Sequence, residues 1–286
     1  MKKEVLMTGQ APASGPGFTS TPGSRETFQE LWHARNLVCQ FVWRDLTVRY
    51  RQTWLGWLWA GLNPALNMGL YYAVFGLMVR FQPPEYRAPY ALVLLCGLVV
   101  WMLFAAALNA TSECLLNNLY LIKKIWFPRA ALAVAACGVS LVDFLLALLC
   151  LGLLLPMFGT GWSLLQLPVL LLCGLMTALC GWGAGCVMAV LRLRYRDVRH
   201  LMPLLVQGLF YSTPVVWTPG LLPVRWQWLA AVNPLSPLMA VFRHALLQGP
   251  LPGTAALAAA AAGSILTAAA GYAALVYGEP EATERA

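Results

Sequence analysis

One acidic side chain, Asp143, stands alone in a long apolar run and is the first candidate for chemistry. No other charged residue lies between residues 130 and 191. An ionisable group in such surroundings is costly to keep, so it usually has a purpose. A lone carboxylate could relay protons, or it could hydrogen-bond between packed helices. The sequence leaves both readings open.

The established patterns of hydrolytic and metal chemistry are missing from this sequence. It has no GxSxG and no HExxH, and no Gly-Lys pair that a Walker A phosphate loop would need. His33, His200 and His244 are too far apart to suggest a metal site. Most of the 8 cysteines lie in apolar runs, which favours small buried side chains over a disulfide framework.

The elements that must position these residues are predicted to be membrane-spanning helices. Of the 286 residues, 60% are hydrophobic and only 10% are charged, and the mean hydropathy is +0.67. A bilayer core about 30 Å thick needs roughly 20 apolar helical residues. The charge-free runs therefore predict an all-α integral membrane protein with six transmembrane helices. These span about residues 56–81, 88–111, 128–155, 164–191, 201–217 and 253–277.

The net charge is +8, and the positive residues are distributed unevenly between the two sides of the membrane. This distribution is a topogenic signal rather than a sign of nucleic-acid binding. If both termini are cytoplasmic, all but four of the 19 lysines and arginines lie inside. The four outside are Arg80, Arg87, Arg225 and Arg243. The sequence therefore predicts a multi-pass protein with both termini in the cytoplasm.

Four regions follow along the chain. Residues 1–25 are rich in Gly, Pro, Ser and Thr and are predicted to be a disordered cytoplasmic tail. Residues 26–55 begin with Thr27 and Glu30 at capping-box spacing and predict an amphipathic helix in the cytoplasmic interface, leading into a coupling segment. A small soluble helical segment is the alternative. Residues 56–278 form the transmembrane domain, and residues 279–286 a second cytoplasmic tail.

Two local patterns refine the transmembrane domain. Between the fifth and sixth spans, two apolar pieces are too short to cross, and Asn233-Pro234 separates them. They predict a short re-entrant pair of helices, which would act as an outer gate. Gly181 and Gly185, at GxxxG spacing in the fourth span, predict a close helix approach.

Four blocks of residues together carry a resemblance to a known family. They are residues 43–59 leading into Asn63-Pro64, residues 121–129, residues 194–198, and Thr213-Pro214-Val215 with Asn233-Pro234. In order and spacing they resemble type 2 ABC exporter permeases of the polysaccharide-export group. The resemblance covers about residues 28–250.

The resemblance implies a homodimer around a channel in the bacterial inner membrane. Two copies of a separate ABC ATPase subunit would bind ATP and Mg²⁺, so this chain would be a transport subunit and not an enzyme. The substrate would be a lipid-linked polysaccharide of the O-antigen, capsule or teichoic-acid type.

Three sets of residues follow as candidates. The coupling set, which would contact the ATPase, is Arg44, Asp45, Arg49, Arg51, Lys123, Lys124, Arg129, Arg196 and Asp197; these charges could instead serve only topology or loop shape. The channel set is Tyr71, Tyr72, Trp101, Phe104, Asp143 and Trp182, with lipid-facing or packing aromatics as the alternative. The outer-gate set is Arg225, Trp226, Trp228, Asn233 and Pro234.

Other function classes fit the sequence less well. An exporter of a drug or another lipid would share this architecture. An ion-coupled carrier would usually carry more intramembrane ionisable residues and an internal repeat. A lipid-sugar transferase would need paired carboxylates or a metal cluster at one membrane face.

Overall fold

The computed structural model describes residues 34–51, 53–124, 128–159, 161, 163–221 and 223–283. Within these ranges all regular structure is helical. The α-helices are α1 (Arg35–Tyr50), α2 (Trp59–Tyr71), α3 (Tyr90–Asn117), α4 (Leu119–Lys124), α5 (Ala130–Leu154), α6 (Leu167–Arg194), α7 (Val198–Ser212), α8 (Gln227–Val232), α9 (Leu235–Leu247) and α10 (Thr254–Thr283). The predicted tail 1–25 and the Thr27 and Glu30 cap lie outside the described residues.

Four helical segments are long and apolar enough to cross a membrane. They are Tyr90–Asn117, Ala130–Phe158, Leu164–Arg194 and Thr254–Tyr277. They correspond to the predicted second, third, fourth and sixth spans. The chain therefore has the helices of a multi-pass membrane protein.

The predicted first and fifth spans form shorter α-helices. The first is helical from Gly56 to Met78, but a 3₁₀ turn precedes α2 and a π-helix, Tyr72–Met78, follows it. The fifth is α7, whose 15 residues rise only about 22 Å, less than a bilayer core of about 30 Å. Both helices contain a proline, Pro64 and Pro203, which removes one backbone donor from each.

The core lies where α3 and α6 cross. Gly181 and Gly185 face α3: a Cβ at Gly181 would press on the Phe104 carbonyl, and one at Gly185 on Thr111. Gly183, on the opposite side of α6, abuts the backbone of α10. The predicted close approach is therefore a contact within this chain, with α6 held between two neighbours.

Helix α1 packs along α5. Phe41 and Leu46 are buried, and Val42 lies against Gly138, where a Cβ would leave no room. By its last turn α1 has reached the middle of α5, where Tyr50 contacts Asp143. The segment that joins α1 to the first predicted span thus begins beside the bundle's middle.

The bundle has two ends, which are defined by where its helices begin and finish. We call the end where α3 and α6 finish and α5 and α7 begin the inner end; the sequence predicts it to be cytoplasmic. The outer end carries the two short helices α8 and α9, divided at Asn233-Pro234 where the sequence predicts the break. The Asn233 side chain accepts a hydrogen bond from the Leu235 N–H (3.0 Å), which holds the turn that leads into α9.

Candidate functional site: grooves around α3

A wide groove of about 710 Å³ runs along α3 between α2 and α7. Its lining changes from one end to the other. The inner end has Glu113, Arg192 and Arg199, the middle has the amides Asn67, Asn109 and Gln207, and the aromatic part has Tyr71, Trp101, Phe210 and Tyr211. Such a surface offers charge, hydrogen bonds and ring faces in succession.

The aromatic part of the wide groove is preorganised by ring contacts. Phe210 lies 5.2 Å from Tyr71 and 5.4 Å from Trp101, centroid to centroid, and 5.3 Å from Tyr211. These separations are in the range of favourable aromatic pairs. Since α2, α3 and α7 each contribute a ring, the cluster fixes three helices relative to one another.

The inner end of the wide groove holds a buried cation. The Arg192 Nη1 lies 3.0 Å from the Glu113 Oε1, and the Arg192 side chain is only 5% exposed whereas that of Glu113 is 51% exposed. The Arg192 Nε is buried and has no hydrogen-bond partner among the described residues. Arg192 is therefore held mainly by a carboxylate that is itself half in water.

A second groove of about 430 Å³ lies between α2, α3 and α5, and Asp143 lines it. The Arg49 Nη1 lies 2.6 Å from the Asp143 Oδ2, and the Tyr50 hydroxyl donates to the Asp143 Oδ1. Trp57 stacks on Tyr50 with a centroid distance of 4.4 Å. Met102 and Asn109 line both grooves, so the two grooves meet on α3.

The Asp143 contacts define its chemistry in this state. Asp143 is partly buried, with its side chain 18% exposed, and residues from the end of α1 contact both of its oxygens. Burial and the hydrogen bond to Asp143 raise the pKa of Tyr50 above its ordinary value of 10.0, so Tyr50 stays a donor. An acid held by both a cation and a phenol connects α1 to α5.

The structure divides the channel set. Tyr71 and Trp101 line the wide groove together, and Asp143 lines the second groove. Tyr72 stacks near Tyr90 and Phe104 packs against Trp101, both outside the groove linings. Trp182 packs against two groups of buried apolar side chains in the core. The set's role in transport stays a prediction.

The groove residues that sequence reasoning missed are Asn67, Asn109, Glu113, Arg192, Arg199, Gln207, Phe210 and Tyr211. A usable signal was present for the three amides, because each is a polar side chain inside a charge-free run. From the sequence alone, Arg192 and Arg199 are indistinguishable from charges that only set the topology.

The coupling set lies mostly on the inner surface. Arg44 Nε binds the Asp45 Oδ1 at 2.8 Å, and Arg44 Nη2 donates to the Asn118 Oδ1 at 3.3 Å. Lys124 contacts the Tyr120 hydroxyl. Among the other members, Arg51, Arg196 and Asp197 are exposed and Arg129 is partly buried. Arg49 forms an ion pair with Asp143. The Lys123 side chain lies outside the described part of the structure.

The outer-gate set forms two parts. Trp226 and Trp228 are exposed, and the Arg225 guanidinium lies 5.8 Å from the Trp226 ring centroid. Asn233 Nδ2 donates to the Thr213 Oγ1 at 2.8 Å and so ties the break before α9, which Pro234 follows, to the end of α7. The first part is loosely held and the second is anchored.

Arg243 of α9 is buried, although the sequence places it among outside charges. It is 2% exposed, and its guanidinium donates to the carbonyls of Val93 (3.0 Å), Pro214 (2.9 Å) and Val215 (2.7 Å). Gly97 makes room, because a Cβ there would collide with the guanidinium. One side chain thereby joins α9, α3 and the unwound segment after α7.

Comparison with known proteins gives a consistent result. Residues 36–247 match the model of a family described as "ABC-2 type transporter". A Klebsiella pneumoniae protein named O-antigen export system permease protein RfbA is 28% identical over 208 residues, 73% of this chain and 79% of that protein. A Myxococcus xanthus protein of the same name is 28% identical over 243 residues, 83% and 90% of the two chains. The Escherichia coli polysialic acid transport protein KpsM is 20% identical over 206 residues, 72% and 79%.

Proposed function

Since this chain belongs to the ABC-2 type transporter family, we propose that it is the membrane subunit of an exporter of lipid-linked polysaccharide. The relatives named for O-antigen export and polysialic acid transport support a substrate of the O-antigen or capsule type. The chain moves this polymer outward across the bacterial inner membrane. It conducts the substrate and performs no chemical reaction on it.

The observation that carries the proposal is the graded lining of the wide groove. Sugar rings present C–H faces that stack on aromatic side chains, and hydroxyls that hydrogen-bond to amides. Tyr71, Trp101, Phe210 and Tyr211 supply the faces, and Asn67, Asn109 and Gln207 supply the amides. Each contact is shallow because the groove is open, so successive sugars can slide rather than lodge.

The proposed assembly places the groove inside a dimer. Two copies of this chain enclose a channel, and each copy crosses the membrane six times. The two shorter crossings are the helical stretch from Gly56 to Met78 and α7, which flank the wide groove on either side of α3. Both termini lie in the cytoplasm, in line with the distribution of lysine and arginine.

Energy comes from a separate ABC ATPase, present in two copies, which binds ATP and Mg²⁺. The exposed coupling residues Arg51, Arg196 and Asp197, with Arg44 and Asp45, form the docking surface. Movement of α1 reaches α5 through Arg49 and Tyr50 on Asp143. This route delivers ATPase closure to a helix that borders the second groove.

The test is a deletion of the gene in its own host, with surface and intracellular polysaccharide measured separately. Loss of surface polymer with accumulation inside the cell is expected, and the wild-type gene restores export. A catalytically inactive ATPase partner should give the same accumulation. Normal surface polymer in the deletion strain would refute the proposal. Export that survives the inactive ATPase but fails in Asp143→Asn would identify an ion-coupled carrier instead.

A further inference from the structure

The inner end of the wide groove carries more positive charge than the acidic residue in its lining can neutralise. Arg192 and Arg199 line it with a single acid, Glu113. Arg199 is exposed and forms no ion pair with another described residue. The inner end is therefore net positive, whereas the amide and aromatic parts of the groove are uncharged.

Arg192 is poorly satisfied for a buried cation. Its Nε is buried without a hydrogen-bond partner in the described part of the chain, and its Nη1 depends on a glutamate side chain that is 51% exposed. A buried guanidinium needs good acceptors to offset its desolvation. Arg243, which is also buried, has three backbone acceptors. The contrast indicates that Arg192 is built to take an additional acceptor.

Glu113 is suited to leave when such an acceptor arrives. Its side chain is half exposed, and it also borders a third hollow of about 530 Å³ between α1, α3 and α5. The carboxylate can turn into that hollow without being buried unpaired. An anion of higher charge in the groove then replaces it on Arg192.

We propose that Arg192 and Arg199 bind the phosphate through which the exported glycan is attached to its lipid, and that Glu113 is a competing anion which the phosphate displaces. This proposal rests on the proposed function, because it assigns the leading end of that substrate. Guanidinium groups bind phosphate by charge-assisted hydrogen bonds that are shorter and stronger than neutral ones. With the phosphate at the inner end, the sugars that follow lie against the amides and rings.

The experiment measures binding to the full-length chain in neutral phosphatidylcholine nanodiscs, with farnesyl diphosphate as the probe. Farnesol and inorganic diphosphate are the comparison ligands, which separate a lipid-borne phosphate from a free one. Farnesyl diphosphate should bind more tightly than either, and more weakly at high salt because charge attraction is screened. Equal binding of inorganic diphosphate would assign the site to a free anion and overturn the proposal.

Three substitutions and one control test the named residues. Arg199→Gln should weaken farnesyl diphosphate about tenfold, the loss expected for one charge-assisted contact. Arg192→Lys should also weaken binding, since lysine lacks the fork of donors. Glu113→Gln should strengthen it several-fold, because it removes the competitor. The control is Arg194→Gln, an exposed arginine two residues from Arg192 that lies outside the groove lining.

Glu113→Gln is expected to tighten binding of farnesyl diphosphate, whereas the arginine substitutions weaken it. This difference distinguishes the proposed site from a general loss of fold or charge. A general loss of fold or charge would weaken binding in every variant, whereas this one must tighten it. Equal weakening by Arg194→Gln and Arg199→Gln, or weaker binding by Glu113→Gln, would overturn the site. The proposed function is tested separately, by measuring surface polymer in the deletion strain. That measurement uses none of these ligands.

Discussion

The two ends of this bundle hold their buried arginines in different ways. At the outer end, Arg243 is bound by three backbone carbonyls and is 2% exposed. At the inner end, the buried Arg192 is bound by the Glu113 carboxylate, and in the middle of α5 the half-exposed Arg49 is bound in the same way by Asp143. Backbone carbonyls cannot be protonated or turned away without unfolding the segment. Carboxylate side chains can change partner.

The difference separates a fixed structure from an adjustable one. Arg243 holds α9 to α3 and to the segment after α7, and Tyr90 adds a hydrogen bond to the Val216 carbonyl at 2.9 Å. The adjustable part of the outer end is then α8, whose Trp228 is exposed. If α8 and α9 form the predicted outer gate, we expect its opening to move α8 while α9 stays in place, and the carboxylate pairs to exchange partners during the proposed transport.

The largest expected effect comes from removing the fixed outer contact. Arg243→Met leaves the Val93, Pro214 and Val215 carbonyls without this donor. Because unsatisfied buried acceptors cost about 1–3 kcal/mol each, we expect a loss of at least about 3 kcal/mol in the free energy of unfolding. The measurement is thermal unfolding of the purified protein in detergent.

The matched control for this change is Arg225→Met at the same end. Arg225 is exposed and contacts only the Trp226 ring among the described residues, so its replacement should change stability by less than about 0.5 kcal/mol. Equal stability of the Arg243 variant and wild type would mean that the carbonyl contacts are dispensable. The outer end would then be no more fixed than the inner end.

The next effect concerns the Asp143 pair. Asp143→Asn keeps the shape of the side chain but cannot neutralise Arg49. Arg49 is 52% exposed, so water screens much of its charge, and we expect a loss of only about 1–2 kcal/mol. Arg49→Gln in the Asp143→Asn background should then cost little more, which a double-mutant cycle measures. Fully additive losses would show that the two residues do not act as a pair.

The fold and the site were predictable from the sequence to different depths. The charge-free runs locate four long helices because length and apolarity are properties of one segment at a time. The Asn233-Pro234 pair and the spacing of Gly181 and Gly185 are also local signals: α8 ends at Val232 and α9 begins at Leu235, and both glycines lie against α3.

The site could be predicted only in part, because it depends on contacts between distant segments. Arg243 looks like an outside charge in the sequence, but its partner Val93 is 150 residues away. Because Asp143 lies alone in an apolar run, the sequence indicates that it needs a partner. No residue near it in the sequence identifies Arg49 as that partner. The sequence predicts that Tyr71 and Trp101 line a channel, but it does not distinguish Phe210, whose ring contacts both, from ordinary apolar residues.

A smaller change separates the two contacts of Asp143, its hydrogen bond with Tyr50 and its charge pair with Arg49. Tyr50→Phe removes one donor from Asp143 and leaves Arg49 in place, so we expect a loss of about 1 kcal/mol. Since the pKa of Tyr50 is raised in the folded protein, its contribution is complete below pH 10.0, the ordinary value, and decreases above it. Wild type should therefore lose stability more steeply than the variant above that pH. Parallel curves would contradict the hydrogen bond.

The smallest effect is expected at the exposed pair of Arg44 and Asp45. Their side chains are 44% and 39% exposed, and exposed ion pairs contribute about 0–1 kcal/mol, so Arg44→Gln should leave thermal unfolding nearly unchanged. The same variant should weaken copurification of the proposed ATPase, because a residue kept at the surface without a stabilising role is free to serve a partner. Tyr120→Phe, which alters a contact of Lys124 without removing a charge, is the control. Marked destabilisation by Arg44→Gln with normal copurification would place this pair with the fixed contacts of the outer end, and the distinction between the two ends would fail.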